Sequence, residues 1–182
     1  MNGKNWNIMM TARNLIVYFL LTTGCLLIFR CKEAPYIDKV KRDLLIEKYD
    51  LLDYANSEQP VFMSIDEFFD GNNDWASIAP NLISKPAPKE YYATLKNFSS
   101  KYKDIDILVE IKDVIIYEDG QPGKDEWFYT DIIYFIGNIT KEQVLEETKH
   151  LLPDEVGYDT ENKSLQQNEK YRNKNIVYIW WD

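Results

Sequence analysis

Cysteine is nearly missing from this chain: there are two, Cys25 and Cys31, and none in residues 32–182. The bulk of the protein therefore has no disulfide, no thiolate nucleophile and no Cys-rich metal site. Histidine is scarcer still, with His150 alone. A Ser-His or Cys-His nucleophile system has little to work with, and a helix-end position gives His150 a local role beside the dipole. Basic excess is absent too. Setting aside Lys4, Arg13 and Arg30 of the first 31 residues leaves 18 basic against 30 acidic residues, a formal net charge of −12. Nucleic-acid binders concentrate Lys and Arg, so no nucleic-acid partner is expected. The balance suits a solvated surface or a protein partner with a basic face.

Long uncharged runs are confined to the N-terminus. Leu15–Phe29 carries no charge, follows a segment containing Lys4 and Arg13, and is closed by Arg30, Cys31 and Lys32. A spanning helix needs about 20 apolar residues, so fifteen suit the core of an export signal better. Thr23-Gly24-Cys25 after a Leu run is similar to the lipobox of bacterial lipoproteins, with Cys25 as the acylated residue. The Leu stands one place early and Leu26–Phe29 is apolar where a polar tether is expected. Three readings stay open: a lipoprotein signal, an uncleaved signal anchor and a cleaved secretory signal. Each joins the chain to the membrane or its export path and puts the acidic portion in the bacterial cell envelope, outside the cytoplasm. The expected division is a signal or anchor segment at 1–31, a linker helix at 32–59 and one domain at 60–182.

The linker helix rests on Leu44, Leu45, Leu51, Leu52 and Ala55 at helical spacing, ended by the breaker Pro60. Pro88 suits a first helical position, and Tyr91, Leu95, Phe98 and Tyr102 recur on one face after it. IDILVEIKDVIIY (105–117) and WFYTDIIYFIG (127–137) read as a hairpin around the turn cluster 119–123, with a pattern shift near 112–113. Thr140 with Gln143 is a capping box that opens a helix stopped by Pro153. Residues 154–174 lack a period and read as an exposed loop. NIVYIWWD (175–182) is too apolar to leave unpaired and completes the sheet. The fold class is α+β: an antiparallel sheet with helices on one face, in an order approximating the ferredoxin-like split β-α-β-β-α-β arrangement.

Residues 61–82 hold the densest punctuation. Ser64 and Glu67 form a capping box, Met63 and Phe68 the matching staple, and Gly71 a left-handed stop. The expected result is a strand at 60–63, a helix at 65–70 and an Asx turn at 72–74. Asp70, Asn72 and Asp74 match positions 1, 3 and 5 of a calcium loop. The match then fails at Trp75, where Gly is needed, and at Asn81, where a bidentate Glu is needed. No metal and no cofactor are expected. Among the acids Asp66, Glu67, Asp70, Asp131, Asp154 and Glu155, no spacing marks out a catalytic pair, and no catalytic residue is assigned.

Three segments, E-F-F-D-G-N-N-D-W-A-S-I-A-P-N (67–81), LPDEVGY (152–158) and the terminal W-W-D, resemble a family of small uncharacterised bacterial proteins. The resemblance covers about residues 61–182 and brings no activity. Ala76 and Ala79 stand where small, Gly-like residues are expected. By analogy of kind alone, small acidic bacterial domains of this sort are similar to immunity proteins of toxin systems. The expected function is a non-enzymatic, envelope-tethered binding domain that occludes a basic partner protein. Its contact set is Asp66, Glu67, Asp70, Asn72, Asn73, Asp74 and Trp75. The alternatives are an envelope hydrolase with a carboxylate pair and a structural lipoprotein domain.

Overall fold

The capping boxes mark where the chain turns from strand to helix. In the computed structural model, which describes residues 37–52, 59–115 and 122–182, β1 (Val61–Ser64) runs directly into α2 (Ile65–Phe69). The Ser64 hydroxyl accepts from Glu67 N, and Glu67 returns to Ser64 N. Thr140 and Gln143 repeat the arrangement at the start of α4 (Lys141–Thr148). Pro88 opens α3 (Pro88–Lys101), which buries Tyr91, Leu95 and Phe98 as their spacing predicts. The N-terminal apolar run, Cys25 and Cys31, the tail of the linker at 53–58 and most of the 119–123 turn lie outside the described residues. Among the described residues no helix is long and apolar enough to cross a membrane.

Five strands make one antiparallel sheet in the order β1-β2-β3-β5-β4, with β2 at Asp106–Ile111, β3 at Ile132–Gly137, β4 at Glu155–Tyr158 and β5 at Asn175–Trp180. The class is therefore α+β. The order differs from the split β-α-β-β-α-β arrangement, because β1 and β2 are direct antiparallel neighbours although helices connect them. The terminal strand β5 lies inside the sheet, paired with β3 on one side and β4 on the other.

One sheet face holds the main core: Met63, Val109, Ile133, Phe135, Val177 and Ile179 meet the buried sides of α2, α3 and α4. Burial of such side chains supplies about 1.5–3 kcal/mol each and dominates the stability of the unit. The other face is covered as well. Leu165 of α5 (Lys163–Gln167) and Tyr171 pack on Tyr134, Ile136 and Ile176. This corrects the reading of 154–174 as an exposed loop and of helices on one face alone. Two anchoring side chains in a polar stretch make no periodic pattern, yet suffice to cover a sheet surface already apolar.

The helix expected as a linker, α1 (Lys39–Tyr49), adds Ile37, Ile46 and Leu51 to the main core. Leu44 and Leu52 of the expected stripe are exposed, while Arg42 is buried. Leu45 and Leu51 of that stripe pack on the core, and Arg42 holds main-chain carbonyls of a distant segment. Gly71, at φ +89°, lets the start of α1 come close: a Cβ there would stand 2.7 Å from Asp38 Cβ.

Candidate functional site

The turn after α2 is a lattice of side chain to main chain bonds. Asn72 Oδ1 accepts from Asp74 N at 3.0 Å, and its Nδ2 donates to Ser77 Oγ at 2.9 Å. Ser77 Oγ donates in turn to Asp74 O at 2.7 Å. Asp74 carries both ends of the turn. Its Oδ1 accepts from Ala76 N and its Oδ2 from Trp127 N, each at 2.9 Å. Ala79 adopts φ +46°, a left-handed conformation that suits Gly and fits the Gly-like expectation for this position. Two contacts hold it there. Ala79 N donates to Thr130 O at 3.0 Å, and buried Lys85 donates to Ile78 O and Ala79 O at 2.6 and 2.7 Å. Burial lowers the Lys85 ammonium to about 8, against the opposing pull of Asp74.

Segment 123–131 faces this turn. Arg42 Nη1 donates to Gly123 O and, at 2.8 Å, to Glu126 O, so α1 fixes the segment's approach. Trp127 is 2% exposed, its ring 4.9 Å from Phe128, and its indole Nε1 has no hydrogen-bond partner among the described residues. Beyond β3 the hairpin partners meet again at the Asp113–Tyr129 bridge, and between them Thr130 pairs with Ile78. That departure sets Asp131 outside the ladder. Trp181 N donates to Asp131 O at 3.0 Å, and the Trp180 side chain donates to the Asp131 carboxylate. Among the described residues Asp131 Oδ1 has no hydrogen-bond partner, but it is ion-paired with Lys112 Nζ at 4.0 Å. Burial raises the Asp131 carboxyl above the ordinary range, with Lys112 opposing.

Between turn and segment lies a cleft of about 360 Å³, with Asp74, Pro80, Ile115, Glu126, Trp127 and Asp131 in its walls. That volume falls in the range of small-ligand sites, roughly 300–1,000 Å³. Chain-distant segments meet here, since the turn and the terminal W-W-D both support its walls. The sequence pattern of the Uncharacterized protein YfbO family matches residues 40–178, most of the chain and all of this cleft. The chain belongs to the YfbO family. No curated protein and no solved structure matches it.

In this YfbO-family chain the expected contact residues fall into two groups. Asp66 accepts from Tyr92 at 2.7 Å and Lys96 at 3.0 Å, and Asp70 from Lys41 at 2.8 Å. Glu67 is engaged by Lys48, Tyr49 and Ser64. Burial would raise Glu67, but those bonds outweigh it and hold the carboxyl at about 2. Asn72 and Asp74 are buried, at 3% and 7% exposure, so they shape the surface rather than form it. Asn73 and Trp75 are exposed, Trp75 at 45% with Lys85 Nζ 5.9 Å from its ring centre. Asp70, Asn72 and Asp74 do not converge as calcium ligands, and no metal-ligating cluster occurs among the described residues.

Trp127, Glu126, Lys85 and Arg42 escaped the sequence reading. Trp127 looked like one more strand aromatic, and Lys85 like part of a polar Pro loop. Neither has a local signal, because each acts on a segment at least six residues away.

Proposed function

We propose that this protein is an envelope-tethered, non-enzymatic binding domain of immunity type that occludes a partner protein with a basic surface. The observation that carries the reading is an exposed Trp75 on a turn immobilised by Asn72, Asp74 and Ser77, beside an acidic cleft. Aromatic side chains dominate binding hot spots, and a pre-ordered loop avoids the entropy cost of ordering on contact. Ile115, 42% exposed, lines the cleft, and Ile83 is fully exposed on the loop that follows the turn; both extend the apolar part of this surface. The formal charge of −12 outside the first 31 residues favours a basic partner and speeds its approach.

The test is capture of partners from envelope extracts by the full chain in detergent, with and without Trp75→Ala. The variant is expected to lose most of the recovered partner; identical recovery would remove Trp75 as the anchor. The tether rests on Leu15–Phe29 and its charged flanks. Incorporation of labelled fatty acid into the wild type but not into Cys25→Ser supports lipidation, and no label leaves the anchor and cleaved-signal readings.

The hydrolase reading gains one observation, the raised carboxyl of Asp131 in a cleft that Glu126 also lines. A carboxylate pair needs a member free to take a proton. Asp74, both of whose oxygens accept main-chain N–H groups, is not that member. The reading therefore stands or falls with Asp131 and Glu126.

A further inference from the structure

The sheet has two edges, and the chain finishes them differently. At β1 the outward main chain belongs to Phe62 and Ser64, and Glu67 Oε2 accepts from the Ser64 N–H at 3.1 Å. The strand then passes straight into α2, which closes that edge. At β4, Asp159 N donates to Ile176 O at 2.8 Å, while Trp181 N on the alternate set of β5 serves β3. Glu155, Gly157 and Asp159 therefore turn their main chain toward β5, and Val156 and Tyr158 turn theirs outward. Their two N–H and two C=O groups have no partner among the described residues. An open edge of this kind is a template for another strand.

The side chains beside the edge select that strand. Val156 packs on the main core and Tyr158 Oη accepts from Lys141 N at 3.4 Å, so both lie on the α4 side. Leu145 of α4, Leu152 of the following turn and Tyr158 are exposed, at 47%, 53% and 45%. Glu155 and Asp159 alternate with them and fall on the other side. Residues 141–161 hold seven carboxylates against Lys141 and Lys149, and Lys149 is paired with Glu146. Glu147 is met by Lys101. Asp154, Glu155 and Asp159 accept from Asp182 N, Tyr178 Oη and Glu161 N, none of them a cation. In the basic segment that follows, Lys170 pairs with Asp106, Arg172 with Glu169, and Lys174 lies over the Tyr171 ring. A second copy of β4 would bring the same acids against these, which opposes self-pairing. A strand that alternates apolar residues with Lys or Arg suits both sides.

We propose that β4 accepts an extended segment of a partner protein as a sixth, antiparallel strand. Its apolar side chains lie beside Tyr158, and its lysines or arginines lie beside Glu155 and Asp159. Antiparallel pairing continues the pattern of every neighbour in this sheet. The surface is on the edge opposite β1 and does not use Trp75, so it goes beyond the function proposed above.

The test is a titration of the ¹⁵N-labelled full chain in uncharged detergent, following main-chain amide shifts and hydrogen exchange. The probe is an end-blocked heptapeptide of alternating lysine and valine. Controls are its glutamate–valine counterpart and a lysine–valine peptide with N-methylated valines, which cannot donate to the edge. Saturable shifts at Val156 and Tyr158 are expected, with exchange of both amides slowed about tenfold or more. Val156→Pro removes one outward donor, leaves the bonds to β5 in place and should weaken binding about tenfold. The N-methylated peptide makes the same distinction on the wild type should that variant fail to fold. Trp75→Ala should leave the response unchanged. No saturable response, an equal response to either control peptide, or loss of the response in Trp75→Ala overturns the proposal. Shifts at Val156 and Tyr158 that follow protein concentration alone also overturn it, because the occupant is then a second copy.

Discussion

The acids of α2 and the acids of the cleft lie close together in the fold, yet their surroundings are opposite. Asp66, Glu67 and Asp70 are each met by a lysine: Lys96, Lys48 and Lys41. The Asp66 and Asp70 pairs are largely exposed and contribute little, while half-buried Glu67 is also held by Ser64 and Tyr49. In the cleft, Asp74 is fully engaged by main-chain donors while Asp131 is only partly matched. The contrast separates carboxylates met by surface lysines from carboxylates held by main-chain donors or by burial. A run of acids in sequence does not predict which kind each becomes.

Breaking the support of the cleft gives the largest effect. Trp181 is fully buried, donates its indole N–H to Leu151 O at 3.0 Å, and meets Tyr91 edge-on at 5.5 Å. Trp181→Ala is expected to lower unfolding stability by about 3–5 kcal/mol, measured by denaturant titration. The cleft's own carboxylate comes next. Asp74→Ala leaves the Ala76 and Trp127 main-chain donors without their acceptors and costs about 2–4 kcal/mol.

Acid separates the two groups by sign. Glu67 has a depressed carboxyl, so its stabilisation is complete above its unfolded value near 4.5 and is lost as pH falls toward about 2. Asp131 has a raised carboxyl, so the native state binds its proton first and gains stability as pH falls through that window. Between about pH 5 and pH 3, the wild type's loss on acidification should shrink by about 1–2 kcal/mol in Glu67→Gln and grow in Asp131→Asn. Stability measured in urea at the two pH values checks both directions. The smallest effect belongs to the α2 surface: Asp66→Asn should change stability by about 0.5 kcal/mol or less in the same assay.

What was legible in the sequence was local. Ser64 with Glu67, Thr140 with Gln143, and the stripe after Pro88 encode their structure within a few residues, and each forms as expected. The strand pairing of 106–111 with 132–137 followed from alternation and turn residues. The cleft was not legible. It exists because Ile78 and Ala79 pair with Thr130 across some fifty residues, which interrupts the hairpin ladder between β3 and the Asp113–Tyr129 bridge. Nothing in the sequence marks out Arg42, yet its guanidinium holds the far wall. β4 was missed for another reason: a four-residue edge strand with half-exposed side chains carries almost no alternation.

The most direct test sets the two groups of acids against each other in one acid titration, following the side-chain carboxyl carbons of Glu67 and Asp131 by NMR. The account predicts that Glu67 titrates well below the ordinary glutamate range and Asp131 above the ordinary aspartate range. Both groups titrating at ordinary values would contradict it, because the two surroundings would then not differ.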